Sequence, residues 1–230
     1  MKKIFLWGSI TITFITLLFL GYMFLKSEPK EEEIYNDIAV NDVLVEEVFK
    51  SIDSGSNYDF QSDVYKKGTF SNQYILGLSI SRYFLDHSSE KEVSETNVDA
   101  YIKKIFGKVT YAHESGYFLN ANLCKFTYDK ITHSYKINTE CNHVDTKNIL
   151  KKRTKAYKTA TVLYVEEKII VTEEKNDGLH VYGDIYQNKE LEKKEPIKIE
   201  DYLDEAETYL YKFEFDGESF VFKEIKKINS

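Results

Sequence analysis

Between Asn41 and Gly107 apolar residues recur every three or four positions, and beyond Gly107 the spacing falls to two. The first period predicts helices and the second predicts strands. NDVLVEEVFKSIDSG reads as a helix capped by Asn41 or Asp42. Leu44, Val45, Val48, Phe49 and Ile52 form one stripe, and Gly55 supplies a left-handed stop. SNQYILGLSISRYFLD, Ser71 to Asp86, predicts a second helix, apolar nearly all round and therefore well buried. In the third helix Thr96 is the expected cap and Asp99 takes the capping-box position. Val98, Tyr101, Ile102, Ile105 and Phe106 make the buried stripe, and Gly107 ends the run.

Strands follow. KVTYAHES leads into a hairpin, LCKFTYDKITHSYKINTEC. TKAYKTATVLYVEEKIIVTEE holds two strand-like runs, and GLHVYGDIYQ follows the turn signal NDG. EPIKIEDYLDEAE inserts a brief helical turn. TYLYKFEF and ESFVFKEIKKI close the chain as a hairpin around Asp216–Gly217, a favoured type I′ dipeptide. Alternation breaks down near Val221 and Lys223, which predicts a bulge. Helices first and strands after point to an α+β fold, with about three helices packed on a curved antiparallel sheet in a cone-like or cystatin-like arrangement.

The N-terminus adds a second layer to this picture. Ile4 to Leu25 is 22 residues without a charge, about 33 Å as a helix against a hydrocarbon core of about 30 Å. It is longer than a signal-peptide core and ends in GYMFLKSEPK, without a small-residue cleavage site. Lys2 and Lys3 precede it and SEPKEEE follows, so the basic end is expected to stay in the cytoplasm. The expected organisation is a cytoplasmic tail (1–3), a transmembrane signal-anchor (4–25), a charged tether (26–40) and an extracytoplasmic α+β domain (41–230). The predicted location is the cell membrane, single-pass, with the C-terminal domain outside.

Charge then excludes one class of partner. Of the 31 basic groups Lys2, Lys3 and Lys26 lie before Ser27, whereas all 38 acidic groups follow it, leaving the outer part at about −10. Nucleic-acid affinity comes largely from Lys and Arg neutralising phosphates, so no nucleic-acid partner is expected. The 18 Tyr and 15 Phe reflect the bias of an AT-rich genome rather than a specialised aromatic surface.

The chain's two cysteines, Cys124 and Cys141, bracket the first hairpin. With the turn at Ile131–Ser134, Cys124 faces Cys141, Phe126 faces Thr139, Tyr128 faces Ile137 and Lys130 faces Tyr135. The opposite face pairs Lys125 with Glu140, Thr127 with Asn138 and Asp129 with Lys136. One register thus separates apolar from charged positions, and a one-residue slip would destroy both patterns. Directly opposed cysteines lie about 4.5–5.5 Å apart at Cα, within disulfide reach. A structural cystine is therefore expected. Zinc would need a fourth ligand beyond Cys124, Cys141 and His143, and an oxidised cystine is not a nucleophile.

No G-x-S-x-G elbow, Gly-rich phosphate loop, H-E-x-x-H or calcium-loop spacing occurs. His87, His113, His133, His143 and His180 are scattered, and His113–Glu114–Ser115 reads as an exposed loop. The acidic runs EEE (Glu31–Glu33) and DYLDEAE read as solvated surface, as do the basic runs KKIFGK and KKRTK (Lys151 to Lys155). No catalytic, cofactor-binding or metal-ligating residue is assigned, and no cofactor is expected.

The anchor, NDVLVEEVFKSID, YIKKIFGK before a cysteine hairpin, KTATVLYVEEKIIV and ETYLYKFEFDGESFVFKEIKKI together resemble an uncharacterised group of single-pass, outward-facing proteins from low-GC Gram-positive bacteria. The resemblance covers most of residues 41–228. It implies the same location and one outer domain, and it transfers no activity. The expected role is non-enzymatic binding of a protein or a cell-envelope component, with a cell-wall enzyme or a small-ligand sensor as alternatives.

Overall fold

The computed structural model describes residues 35–55, 69–119, 124–138 and 147–228. The expected anchor, Cys141 and His143 lie outside the described residues. Among the described residues no helix is long and apolar enough to cross a membrane.

Helix α1 spans Val43–Ser51, and Asp42 caps it by accepting from the Leu44 N–H at 2.9 Å. The helix stops at Ile52, so Gly55, at φ +74°, bends the chain after the helix rather than ending it. Helix α2 spans Asn72–Asp86 with the Ser71 hydroxyl on the Tyr74 N–H, and its residues from Tyr74 to Ser81 are all buried. Both follow the predicted periodicity.

Helix α3, Glu95–Phe106, starts differently. Its cap is Ser94, whose hydroxyl accepts from the Asn97 N–H at 3.3 Å, and Thr96 sits inside the first turn. The reason is tertiary. Strand β2 (Glu92–Ser94) pairs with β5 (Ser134–Ile137) and delivers Ser94 in the extended conformation that a cap requires. Gly107, at φ +67°, closes the helix as predicted.

The strands form two antiparallel sheets where a single curved one was expected. In the larger sheet β1 (Asn36–Ile38), β6 (Lys147–Lys158), β7 (Val162–Lys175), β10 (Glu207–Phe215) and β11 (Phe220–Ile228) lie side by side. Strand β8 (Gly178–Tyr182) pairs with the far end of β7, and β9 (Glu190–Leu191) pairs with β8. The stretch expected to be tether thus ends in an edge strand, β1. The smaller sheet runs β2, β5, β4 (Lys125–Asp129) and β3 (Gly116–Tyr117). Sequence alternation identifies strands but cannot assign them to sheets, because partner choice is non-local.

The helices cover one face of the larger sheet. Leu163, Val165, Ile169 and Val171 of β7 meet Tyr209, Tyr211 and Phe213 of β10 and the stripes of α1, α2 and α3 in one core. A second, smaller core, Ile170, Val181, Leu191, Ile199, Tyr202 and Ala206, lies on the back of β7 under the 3-10 turn Ile199–Tyr202. Burial on both faces explains the consecutive apolar residues Ile169, Ile170 and Val171.

The predicted bulge is present. Lys212 pairs with Glu224 and Phe213 with Phe222, so Lys223 is the extra residue and Phe222 and Ile225 reach the same core three positions apart. The turn of this hairpin is wider than the type I′ expectation. Phe215 pairs with Phe220, and the Asp216 carboxylate accepts from the N–H groups of Glu218 and Ser219, each at 3.0 Å.

The cysteine hairpin keeps its predicted faces in a register shifted by two residues. Phe126 pairs with Ile137, Thr127 with Lys136 and Tyr128 with Tyr135, and the turn moves to Lys130–His133. A shift of two preserves side-chain alternation, so the apolar and polar faces survive. The turn decides the register. Asp129 accepts from the Ile131 and Thr132 N–H groups, and His133 takes φ +49°.

Candidate functional site

A cleft of about 750 Å³ opens between α1 and the inner face of the larger sheet. Phe49 and Ile52 of α1, Tyr74 of α2, Ile149 of β6, Glu167 of β7 and Tyr211 of β10 line it. Glu46, Glu47, Lys50, Asp53 and Lys151 stand around it, giving an aromatic interior with charged groups of both signs.

Strand alternation places Glu167 in this cleft. Leu163, Val165, Glu167, Ile169 and Val171 all point inward, so one carboxylate interrupts an apolar row. It is 5% exposed and accepts from the Tyr211 hydroxyl at 2.8 Å. Desolvating a charged group is costly unless hydrogen bonds compensate, and this one is held by such bonds.

Directly across the ladder from Glu167 lies Arg153. A bulge between Arg153 and Lys155 lets Arg153 and, beyond it, Ala156 both serve the inner face. The Arg153 guanidinium sits 5.1 Å from the Phe49 ring centroid, and its Nη2 pairs with Glu46 Oε1 at 2.8 Å. Its Nη1 is buried and has no hydrogen-bond partner among the described residues. A buried donor without an acceptor is uncommon, because it loses the full hydration of the group. The basic run Lys151 to Lys155, expected to be a solvated strand end, therefore contributes a packed guanidinium instead.

The sequence-selected residues are distributed as follows. Cys124 is half-buried at the start of β4, and no free cysteine occurs among the described residues. His87 caps α2 and stacks on Tyr83 with centroids 4.3 Å apart. His180 lies between Asp177 and Glu190, whose hydrogen bonds raise its pKa. In DYLDEAE, Glu207 accepts from the Tyr209 hydroxyl at 2.7 Å, and Glu31–Glu33 lie outside the described residues.

His113, expected on an exposed loop, is instead half-buried against α3. Gly107 reverses the chain, and the following extended segment runs back along the helix. From Glu95 to Phe106 the helix rises roughly 17 Å, and six extended residues cover about 20 Å, enough to return His113 to the helix N-terminus. Asn72 holds this segment as a strand would. Its side chain accepts from the Ala112 N–H at 2.7 Å and donates to the Ala112 carbonyl at 2.9 Å. Nearby, hydrogen bonds from Tyr128 and His133 hold the Glu95 carboxyl below its usual range, and the same Glu95 contact pushes Tyr128 up to about 12.

Sequence reading misses Glu167 and Arg153. For Glu167 one signal is available: an acid in the inward register of VLYVEEKIIV. For Arg153 there is none, since a bulge hides its orientation.

No protein-family description, curated protein or solved structure matches this chain.

Proposed function

We propose that this chain is a membrane-tethered, outward-facing domain without catalytic role, and that it binds a short segment of envelope polymer in the α1 cleft. Ile4–Leu25 is the anchor, Lys2 and Lys3 remain inside, and Cys124 and Cys141 form a stabilising bridge in the oxidising exterior. In this reading the bent sheet under its helices is the cone-like or cystatin-like support that holds the cleft open to solvent.

The observation that carries the proposal is the buried Nη1 of Arg153, which has no acceptor among the described residues and lies beside the cleft aromatic Phe49. Arg153 lies outside the cleft lining, packed against Phe49, so a ligand carbonyl, carboxylate or hydroxyl would complete it once the Phe49 ring turns aside. Phe49, Tyr74 and Tyr211 offer apolar faces, and Glu167 offers a carboxylate to an amide N–H or hydroxyl. Peptide- and sugar-bearing wall fragments present both kinds of group on one short segment.

The test is chemical-shift mapping of the full-length chain in detergent with soluble muropeptides. Resonances of Phe49 and Tyr211 should move on titration. Arg153→Met keeps the stem and removes the donors, and it should weaken binding by about tenfold or more, the size of a hydrogen bond to a charged group. Absence of binding, or equal affinity in the variant, would sink the ligand assignment. Peptide mapping without reduction checks the cystine, which predicts a linked Cys124–Cys141 peptide. Protease shaving of intact cells checks topology, and protection of residues beyond Ser27 would refute an outward-facing domain.

A further inference from the structure

We propose that Glu95, Asp99 and His113 form a binding site for a divalent transition-metal ion, with zinc as the probe. Glu95 and Asp99 lie one helical turn apart at the start of α3, so both carboxylates share a face. The returning segment brings His113 to that face. One ligand atom from each of the three lies within 4.8 Å of the other two.

The distances favour coordination over simple pairing. His113 Nε2 stands 3.2 Å from Asp99 Oδ1 and 3.6 Å from Glu95 Oε1. A charge-assisted N–H···O contact closes to about 2.7–2.9 Å. Ligands held tetrahedrally at about 2.0–2.2 Å from zinc lie roughly 3.3–3.5 Å from one another. The observed pair of distances brackets the second geometry.

Charge gives an independent argument. Among the described residues the only basic groups within ion-pair range of Glu95 and Asp99 are the imidazoles of His113 and His133. Neither carboxylate has a lysine or arginine partner among the described residues. A divalent cation would balance the two carboxylates, and of the two imidazoles only His113 reaches both of them.

Each ligand is also oriented from behind. Tyr135, fully buried, places its hydroxyl 2.6 Å from His113 Nδ1, which directs the Nε2 lone pair at the carboxylates when Nδ1 carries the proton. Tyr111 donates to Asp99 Oδ1 at 2.7 Å. Tyr128 and His133 occupy the other oxygen of Glu95, leaving Oε1 toward His113. Outer groups of this kind set ligand direction and tautomer in metal sites. One imidazole nitrogen with two carboxylate oxygens suits zinc, manganese or iron(II). Asp99 remains 42% exposed, so an ion can enter and water can complete the coordination.

The test uses the tag-free full-length chain in detergent, stripped with chelator and titrated with zinc by calorimetry. Visible absorption of a cobalt(II)-loaded sample reports coordination geometry. One equivalent should bind with tetrahedral cobalt bands. His113→Gln should lower affinity by at least about 100-fold, whereas His180→Gln should leave it unchanged. Asp99→Asn provides a second variant should His113→Gln fail to fold, as judged by thermal melting. The proposal is overturned if no saturable equivalent binds, if folded His113→Gln or Asp99→Asn binds as tightly as the parent, or if His180→Gln lowers affinity equally.

Discussion

His113 and His180 are each flanked by two carboxylates, yet the two arrangements differ in kind. At His180 the acids take opposite edges of the ring: Glu190 meets Nδ1 at 2.5 Å and Asp177 meets Nε2 at 2.9 Å. Both contacts are short and both nitrogens are consumed, so the site holds a proton. At His113 both acids converge on Nε2 at longer range, while Tyr135 takes Nδ1. Equal residue inventories therefore do different chemistry, because three ligand atoms must point at one position in space. The contrast traces to architecture. Glu190 belongs to β9, paired with β8, and so reaches across a ladder to His180. Glu95 and Asp99 come from one helical face and His113 from a segment docked beside it.

Experiments can sharpen or break this comparison. The largest separation should come from metal affinity in His113→Gln and His180→Gln, as described above. Next in size is Tyr135→Phe, which keeps the buried ring and removes the group at Nδ1. A loss of about tenfold in zinc affinity is expected with the fold intact, and an unchanged isotherm would show that Tyr135 only packs. Asn72→Ala should release the segment that carries His113. Two backbone hydrogen bonds are lost, about 1–2 kcal/mol of stability by denaturant unfolding, together with a severalfold drop in zinc affinity. Stability loss without any change in affinity would separate docking of the segment from the site.

The smallest effect concerns pH. Hydrogen bonds from Asp177 and then Glu190 raise the pKa of His180. A raised folded-state value means that the contribution is complete below the unfolded value, about 6.5, and is lost as pH rises through the folded-state pKa. His180→Gln should therefore be less stable than the parent near pH 5.5, and the gap should close at alkaline pH. A gap independent of pH would mean that the imidazolium is not what Asp177 and Glu190 stabilise.

Local features are legible in proportion to how local their causes are. The stripes of α1, α2 and α3, the bulge at Lys223 and the two faces of the β4–β5 hairpin all follow from short-range periodicity and appear as expected. Thr96 fails as a cap because β2 pairs with β5, a contact that no window around Thr96 contains. The hairpin register differs by two because Asp129 organises the turn, and face alternation cannot distinguish registers that differ by two. Arg153 reads as solvated because a bulge reverses strand parity without a composition signal. His113 reads as exposed because its neighbours in sequence do not reveal that Asn72 clamps the chain beside α3.

Amphipathic period is a property of consecutive residues, so the amino-acid order alone determined the three helices, the strand-rich second half and the apolar N-terminal run. It also determined the acid excess, which is a matter of counting. Tertiary structure alone decided the division into two sheets, the cleft with its buried Glu167, the packing of Arg153 against Phe49, and the meeting of Glu95, Asp99 and His113. Each of these joins segments far apart in the chain, and their encounter depends on how strands choose partners and how helices dock, which no single stretch encodes.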